Sequence, residues 1–109
     1  MKKQPNNTFI TINRNELINP KDVLFLRGDV NYTTLFMADG SQNIVAYTLK
    51  KFEDTLPSQD FVRANKSMLL NTSFVKSHSP YEVVLENEEI VKISRRRKED
   101  VLKKLSILK

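Results

Sequence analysis

A mostly-β domain with one short internal helix and a helix at its C-terminal end is the fold class this sequence predicts. Three observations predict it. Apolar residues alternate with polar ones in short runs, turn signals separate those runs, and helical spacing appears in only two stretches. At 109 residues the chain suits one domain, and its 39% hydrophobic content can fill a core. The spacing of turn signals favours an all-β sandwich or barrel-like body over βαβ units. No internal repeat and no linker composition divides the chain.

Residues 1–7 are polar and read as a disordered tail, leaving 8–109 as the domain. "TFITIN" (Thr8–Asn13) alternates, with Ile10 and Ile12 on one face, and predicts a strand. "DVLFLRG" (Asp22–Gly28) is a short apolar run of strand formers stopped by Gly28-Asp29. "NYTTLFMADG" (Asn31–Gly40) is β-rich and ends in Asp39-Gly40, a strong hairpin signal, with "NIVAY" (Asn43–Tyr47) as the return strand. The period then changes. Leu49, Phe52 and Leu56 recur at helical spacing, Thr48 can cap the start and Pro57 stops the pattern, so "TLKKFEDTLP" predicts about two helical turns.

A series of short β-like pieces follows from Asp60 to His78. "YEVVLE" (Tyr81–Glu86) and "EIVKIS" (Glu89–Ser94) flank a turn at Asn87-Glu88 and predict a second hairpin. The last element is helical: Val101, Leu102, Leu105 and Leu108 form an apolar stripe with lysines opposite.

The net charge of +5 is placed unevenly. Residues 1–60 hold seven Lys/Arg and seven Asp/Glu, whereas residues 61–109 hold eleven and six. A one-sided basic field points to nucleic acid, an anionic membrane or an acidic protein, against the plainer reading of a lysine-rich solvated surface.

The basic excess peaks in "ISRRRKED" (Ile93–Asp100). Ser94 is suited to cap the last helix, which would put Arg95, Arg96 and Arg97 in its first turn. A capping box would want Glu or Gln where Arg97 stands. The helix dipole makes each exposed cation there unfavourable by about 0.3–1 kcal/mol at low salt. An anionic ligand reverses that sign, because free N–H groups and forked guanidinium donors both suit phosphate, or the O6/N7 edge of guanine. The alternative is that these arginines pair with Glu86, Glu88 and Glu89 or point into solvent.

Two further polar constellations accompany the arginines. "FVRANKS" (Phe61–Ser67) carries Arg63, Asn65 and Lys66, and Asn and Lys read base edges when placed in a groove. Arg63 could instead be a structural partner for an acid such as Asp60. "GDVNYTT" (Gly28–Thr34) is a loop flowing into a strand, with Asn31, Tyr32, Thr33 and Thr34 as neutral hydrogen-bonding groups.

Taken together, "VLFLRGDVNYTTLFMADG", "YTLKKFEDTLPSQDFVRANKSMLLNTSFVK" and "YEVVLENEEIVKISRRRKEDVLKKL" resemble the LytTR DNA-binding domain of bacterial response regulators, in order and spacing, from about Phe9 to Leu105. The resemblance implies small stacked antiparallel sheets, a β-β-β architecture with a short helix, and sequence-specific binding of promoter DNA. In that family loops, not a recognition helix, enter successive major grooves.

Carried over by position, Tyr32, Lys66 and Arg96 would read bases. Asn31, Arg63, Asn65, Ser67, Lys76, Arg95, Arg97 and Lys98 would contact the DNA backbone or support the readers. One departure stands out: Asn65-Lys66 occupies the place where the family commonly shows histidine-arginine, so the hydrogen-bond code differs.

The implied partner is double-stranded promoter DNA with paired direct repeats, bound by a homodimer, in a cytoplasmic two-component system. The chain would be either the output part of a regulator with a receiver domain or a stand-alone regulator.

Other classes find less support. An RNA or single-strand module needs exposed aromatic platforms, and Phe25, Phe36, Phe52 and Phe74 read as core, leaving Tyr32, Tyr47 and Tyr81. A basic protein-interaction or membrane-surface module would use the terminal helix, which has no Trp or Phe to anchor in lipid. An enzyme is not expected: His78 is the one histidine, in "KSHSP", with no glycine elbow beside it. No cofactor or metal site is expected, since cysteine is absent and no acidic run suits calcium. No apolar run is long enough to span a membrane.

Overall fold

A computed structural model describes residues 9–13 and 16–107. The expected tail at 1–7 and the terminal Leu108 lie outside them. The strands are β1 (Ile10–Asn13), β2 (Glu16–Ile18), β3 (Val23–Gly28), β4 (Thr33–Met37), β5 (Gln42–Val45), β6 (Phe61–Asn65), β7 (Met68–Asn71), β8 (Val75–His78), β9 (Glu82–Leu85) and β10 (Ile90–Lys92). Helix α1 (Leu49–Thr55) joins β5 to β6, and α2 (Lys98–Ile107) follows a 3-10 turn at Arg95–Arg97.

Three antiparallel sheets result: a β1-β2 hairpin, a central sheet in the order β5-β4-β3-β7-β6, and a sheet in the order β10-β9-β8. Among the described residues they stack as open layers, and no barrel closes.

The stacking follows from a central sheet that is apolar on both faces. On one face Val23, Leu26, Leu35 and Leu69 meet Ile10, Ile12 and Ile18 of the hairpin and Leu49 and Phe52 of α1. On the other, Phe25, Val62, Ala64 and Leu70 meet Val83, Leu85 and Val91 of the three-stranded sheet and Val101 and Leu105 of α2. Strands β3 and β7 lie inside this sandwich, so "VLFL" and "MLLN" are buried continuously instead of alternating. A register shift between Val23 and Phe25 puts Leu24 and Phe25 in the same core cluster. Each fully buried Leu or Phe contributes about 1.5–3 kcal/mol relative to exposure, and here that gain holds both flanking layers to one sheet.

The predicted turns take the geometry their residues favour. Gly40 has φ +93°, which a glycine adopts without a Cβ clash. Beside it Asp39 Oδ1 accepts from the Ser41 amide at 2.9 Å and hydroxyl at 2.6 Å, which lowers the Asp39 pKa from its usual value. Glu88 has φ 74° in the β9–β10 turn, where Asn87 Oδ1 accepts from the Glu89 amide at 3.0 Å. Thr48 caps α1 through a 3.2 Å bond from the Lys51 amide.

Strand β2 was not anticipated. At three residues it is too short to show a period, and it exists because β1 pairs with it, Ile10 opposite Ile18.

Candidate nucleic-acid interface

Backbone hydrogen bonding links three polar segments that are far apart in sequence. The first is the β3–β4 loop, closed by the Asp29 amide donating to the Tyr32 carbonyl at 2.8 Å. It presents Asn31 and Tyr32 to solvent, with Tyr32 54% exposed. At its root the Gly28 amide donates to the Ser67 carbonyl at 2.8 Å, tying this loop to the β6–β7 turn. Glycine permits this close approach, because an added Cβ would lie 2.8 Å from Leu49 Cβ and force a shift. Residues Gly28, Asp29 and Val30 therefore share a shallow groove with Thr48, Lys66 and Ser67.

The second segment is the β6–β7 turn, Asn65 to Ser67. Arg63 Nε donates to the Asn65 carbonyl at 2.9 Å and Nη2 to the Lys66 carbonyl at 2.7 Å. Its Nη1 meets Glu53 Oε1 at 2.6 Å. The Arg63 side chain is only 13% exposed, so it supports the turn and does not face solvent. Its acid is Glu53 of α1, where sequence had suggested Asp60. Asn65 is a second support: its Oδ1 accepts from the Ser67 amide at 2.8 Å, and its Nδ2 donates to the Lys92 carbonyl at 2.6 Å. Lys66 and Ser67 are exposed, and Lys66 enters no ion pair among the described residues.

The third segment runs from Ser94 to Lys98, and here one expectation is corrected. Ser94 has the extended conformation of a cap (φ −69°, ψ 151°), but its hydroxyl makes no capping bond. The Arg97 amide instead reaches the Ser94 carbonyl at 3.1 Å, closing a 3-10 turn. The three arginines thus precede α2, and Glu99 and Asp100 occupy its first turn, where the dipole favours acids. The segment is attached to the second by the Ser94 amide, which donates to the Ala64 carbonyl at 2.9 Å.

Arg95 and Arg96 are exposed and unpaired among the described residues; neither meets Glu86, Glu88 or Glu89. Arg97 is half-buried and sits 3.5 Å from Glu53 Oε2. The Lys98 ammonium lies 5.2 Å from the Tyr81 ring centre, a cation–π contact.

The structure therefore brings Asn31, Tyr32, Arg63, Asn65, Lys66, Ser67, Arg95, Arg96, Arg97 and Lys98 into one linked set of segments. Lys76 stands apart on β8, paired with Glu88 at 2.5 Å. Glu53 was missed by sequence reasoning. On α1 it looks like one more exposed helical acid, and only the return of β6 beside the helix makes it a shared acceptor. Exposed Lys66, Arg95 and Arg96 enter no ion pair among the described residues, so no protein acid neutralises their charge.

A family model described as the LytTr DNA-binding domain matches residues 13–106. The chain belongs to that family. This LytTr domain is 25% identical over 96 residues to the sensory transduction protein LytT of Bacillus subtilis (strain 168), a match covering 84% of this chain and 39% of that protein. The chain thus spans well under half the length of that relative. A solved LytTr DNA-binding domain from Bacillus cereus superposes with a TM-score of 0.76 at 21% identity, covering 89% of this chain and 95% of the other. The stacked antiparallel sheets with a C-terminal helix are the fold of that structure.

Among the described residues, no helix of the LytTr domain is long and apolar enough to cross a membrane. No group of three or more His, Asp or Glu among them is placed to hold a metal ion.

Proposed function

We propose that this LytTr domain binds double-stranded DNA sequence-specifically, as the output part of a bacterial transcription regulator. The observation that carries the proposal is the linked trio of segments, each ending in an exposed polar or cationic side chain on a hydrogen-bonded turn. Tyr32, Lys66 and Arg96 are assigned to base edges in successive major grooves. Asn31, Ser67, Arg95 and Lys98 are assigned to phosphates, where they supply affinity with little sequence information. Arg63, Asn65 and Arg97 hold the turns in place.

Fixed turns suit base reading because a reader that is already oriented loses little conformational entropy on binding. Paired direct repeats occupied by two copies, and a longer regulator carrying a receiver domain, complete the proposal. The match to only 39% of LytT is compatible with further domains in such a regulator.

The test is selection from a random double-stranded DNA pool at moderate salt. A short repeated motif should emerge. Uniform recovery of all sequences would reduce the site to an electrostatic patch and would move RNA, acidic proteins and anionic surfaces to the front.

A further inference from the structure

The assigned readers say what touches DNA; they do not say what sets the distance between the two turns that carry the cations. One side chain lies between those turns. Glu53 on α1 uses Oε1 for Arg63 at 2.6 Å and Oε2 for Arg97 at 3.5 Å. Arg63 in turn holds the carbonyls on both sides of the Lys66 peptide nitrogen, those of Asn65 and Lys66. Arg97 closes the turn that displays Arg95 and Arg96.

We propose that Glu53 is a positioning residue that fixes the Lys66 turn relative to the Arg95–Arg97 turn, so that sequence preference depends on it although it does not touch DNA. The inference rests on the duplex-reading function proposed above. The physical ground is that a carboxylate with two acceptor oxygens can hold two guanidinium groups at one separation; the Arg63 group also bonds the Lys66 turn, and the Arg97 backbone amide closes the other turn. The ion pairs are shielded enough to matter, since Arg63 is 13% exposed and Glu53 and Arg97 are each 30% exposed. An acid is otherwise unfavourable next to a surface that binds polyanion, because it repels phosphate. Its presence is explained if its neighbours need it for geometry.

Two kinds of measurement separate geometry from charge. Asp54 on the same helix is exposed and, among the described residues, pairs only with Lys50, at 3.1 Å, so D54N removes the same charge without touching either turn. E53Q and D54N are compared on the selected duplex and on a scrambled duplex of equal length. In E53Q the ratio of the two affinities should fall about tenfold through weaker binding of the selected duplex, with scrambled binding unchanged or slightly tighter. D54N should keep the wild-type ratio.

Amide hydrogen exchange in the free protein gives a second readout that needs no DNA. The Ser67 and Arg97 amides, each bonded within its turn, should exchange roughly tenfold faster in E53Q and at the wild-type rate in D54N. If E53Q does not fold at the assay temperature, E53D, which keeps the charge and shortens the reach, is measured for the same two quantities.

Equal affinity ratios for E53Q and D54N, or wild-type exchange at both amides, would overturn the positioning role and leave duplex reading intact. A wild-type protein that does not distinguish the selected duplex from the scrambled one would overturn the function on which it rests.

Discussion

Arg63 donates from Nη2 to the main-chain carbonyl of Lys66 at 2.7 Å, so one cation of the basic half of the chain works as an internal clamp for another. The distinction between clamp and contact decides what each substitution does, and the first prediction follows from it. Arg63→Ala leaves two carbonyls and the Glu53 carboxylate short of a partner in a site only 13% exposed at Arg63. It should destabilise the domain by about 2 kcal/mol in urea denaturation and weaken duplex binding as well. Arg63→Lys keeps the charge but not the fork, and should recover only part of the stability.

Arg96 is exposed and unpaired among the described residues, so its removal should leave the melting temperature unchanged. Arg96→Ala should weaken the selected duplex by about 1–3 kcal/mol and relax preference at one position. Lys98→Ala should weaken every duplex alike and flatten the dependence of log affinity on log salt by about one. Equal losses on selected and random duplexes for both variants would remove Arg96 from the readers, while unfolding of Arg96→Ala would make it a structural residue.

The two glycines give a paired test. A Cβ on Gly28 would press on Leu49 Cβ at 2.8 Å, beside the amide that holds Ser67. Gly28→Ala should therefore cost about 1–3 kcal/mol in stability and also impair DNA binding, because α1 or the Lys66 turn must shift. A Cβ on Gly40 meets nothing within 4 Å, but φ is +93°. Gly40→Ala should cost about 1–2 kcal/mol through backbone strain alone, with duplex affinity retained under conditions where the variant is folded. Calorimetry and fluorescence anisotropy on the two variants check both halves.

Acid should loosen the β4–β5 turn. The Ser41 hydroxyl and amide bond to the Asp39 carboxylate and favour its charged form, holding its pKa below the usual 3.8. With the folded pKa below the unfolded one, the stabilising contribution is full above the unfolded value and fades as pH falls through the folded value. Carbon-13 titration of the Asp39 carboxyl should give a midpoint below that of a free aspartate. Asp39→Asn should abolish the pH dependence of the Ser41 amide shift in that range.

Elements whose cause is local were legible in the sequence. Thr48, the Leu49/Phe52/Leu56 spacing and Pro57 define α1 within ten residues, and the Gly40 and Glu88 turns sit where their polar signals lie. The apolar run of β3 signals a strand, but its burial on both faces, like that of β7, depends on the layers that flank the central sheet. What escaped depends on pairing across distance. Glu53 meets Arg97 over forty-four positions, Asn65 meets Lys92 over twenty-seven, and no local period encodes either contact.

The start of α2 escaped for another reason. Ser94 has the composition and conformation of a cap, but a 3-10 closure competes with the hydroxyl bond and moves the α-helical start past the arginines. The candidate site followed the same division: its exposed residues stand out by charge and polarity, whereas its supports depend on tertiary neighbours.

The position of Arg95 and Arg96 outside α2 also bears on how such a domain can change over generations. Val101 and Leu105 anchor the helix to the core, and neither needs the two arginines for that. Variation at 95 and 96 is therefore cheap for the scaffold. Arg63 and Arg97 are less free to change, because each is held to the Glu53 carboxylate. The boundary between free surface and supporting frame thus falls between two neighbouring residues, with exposed Arg96 on one side and Arg97, held to Glu53, on the other.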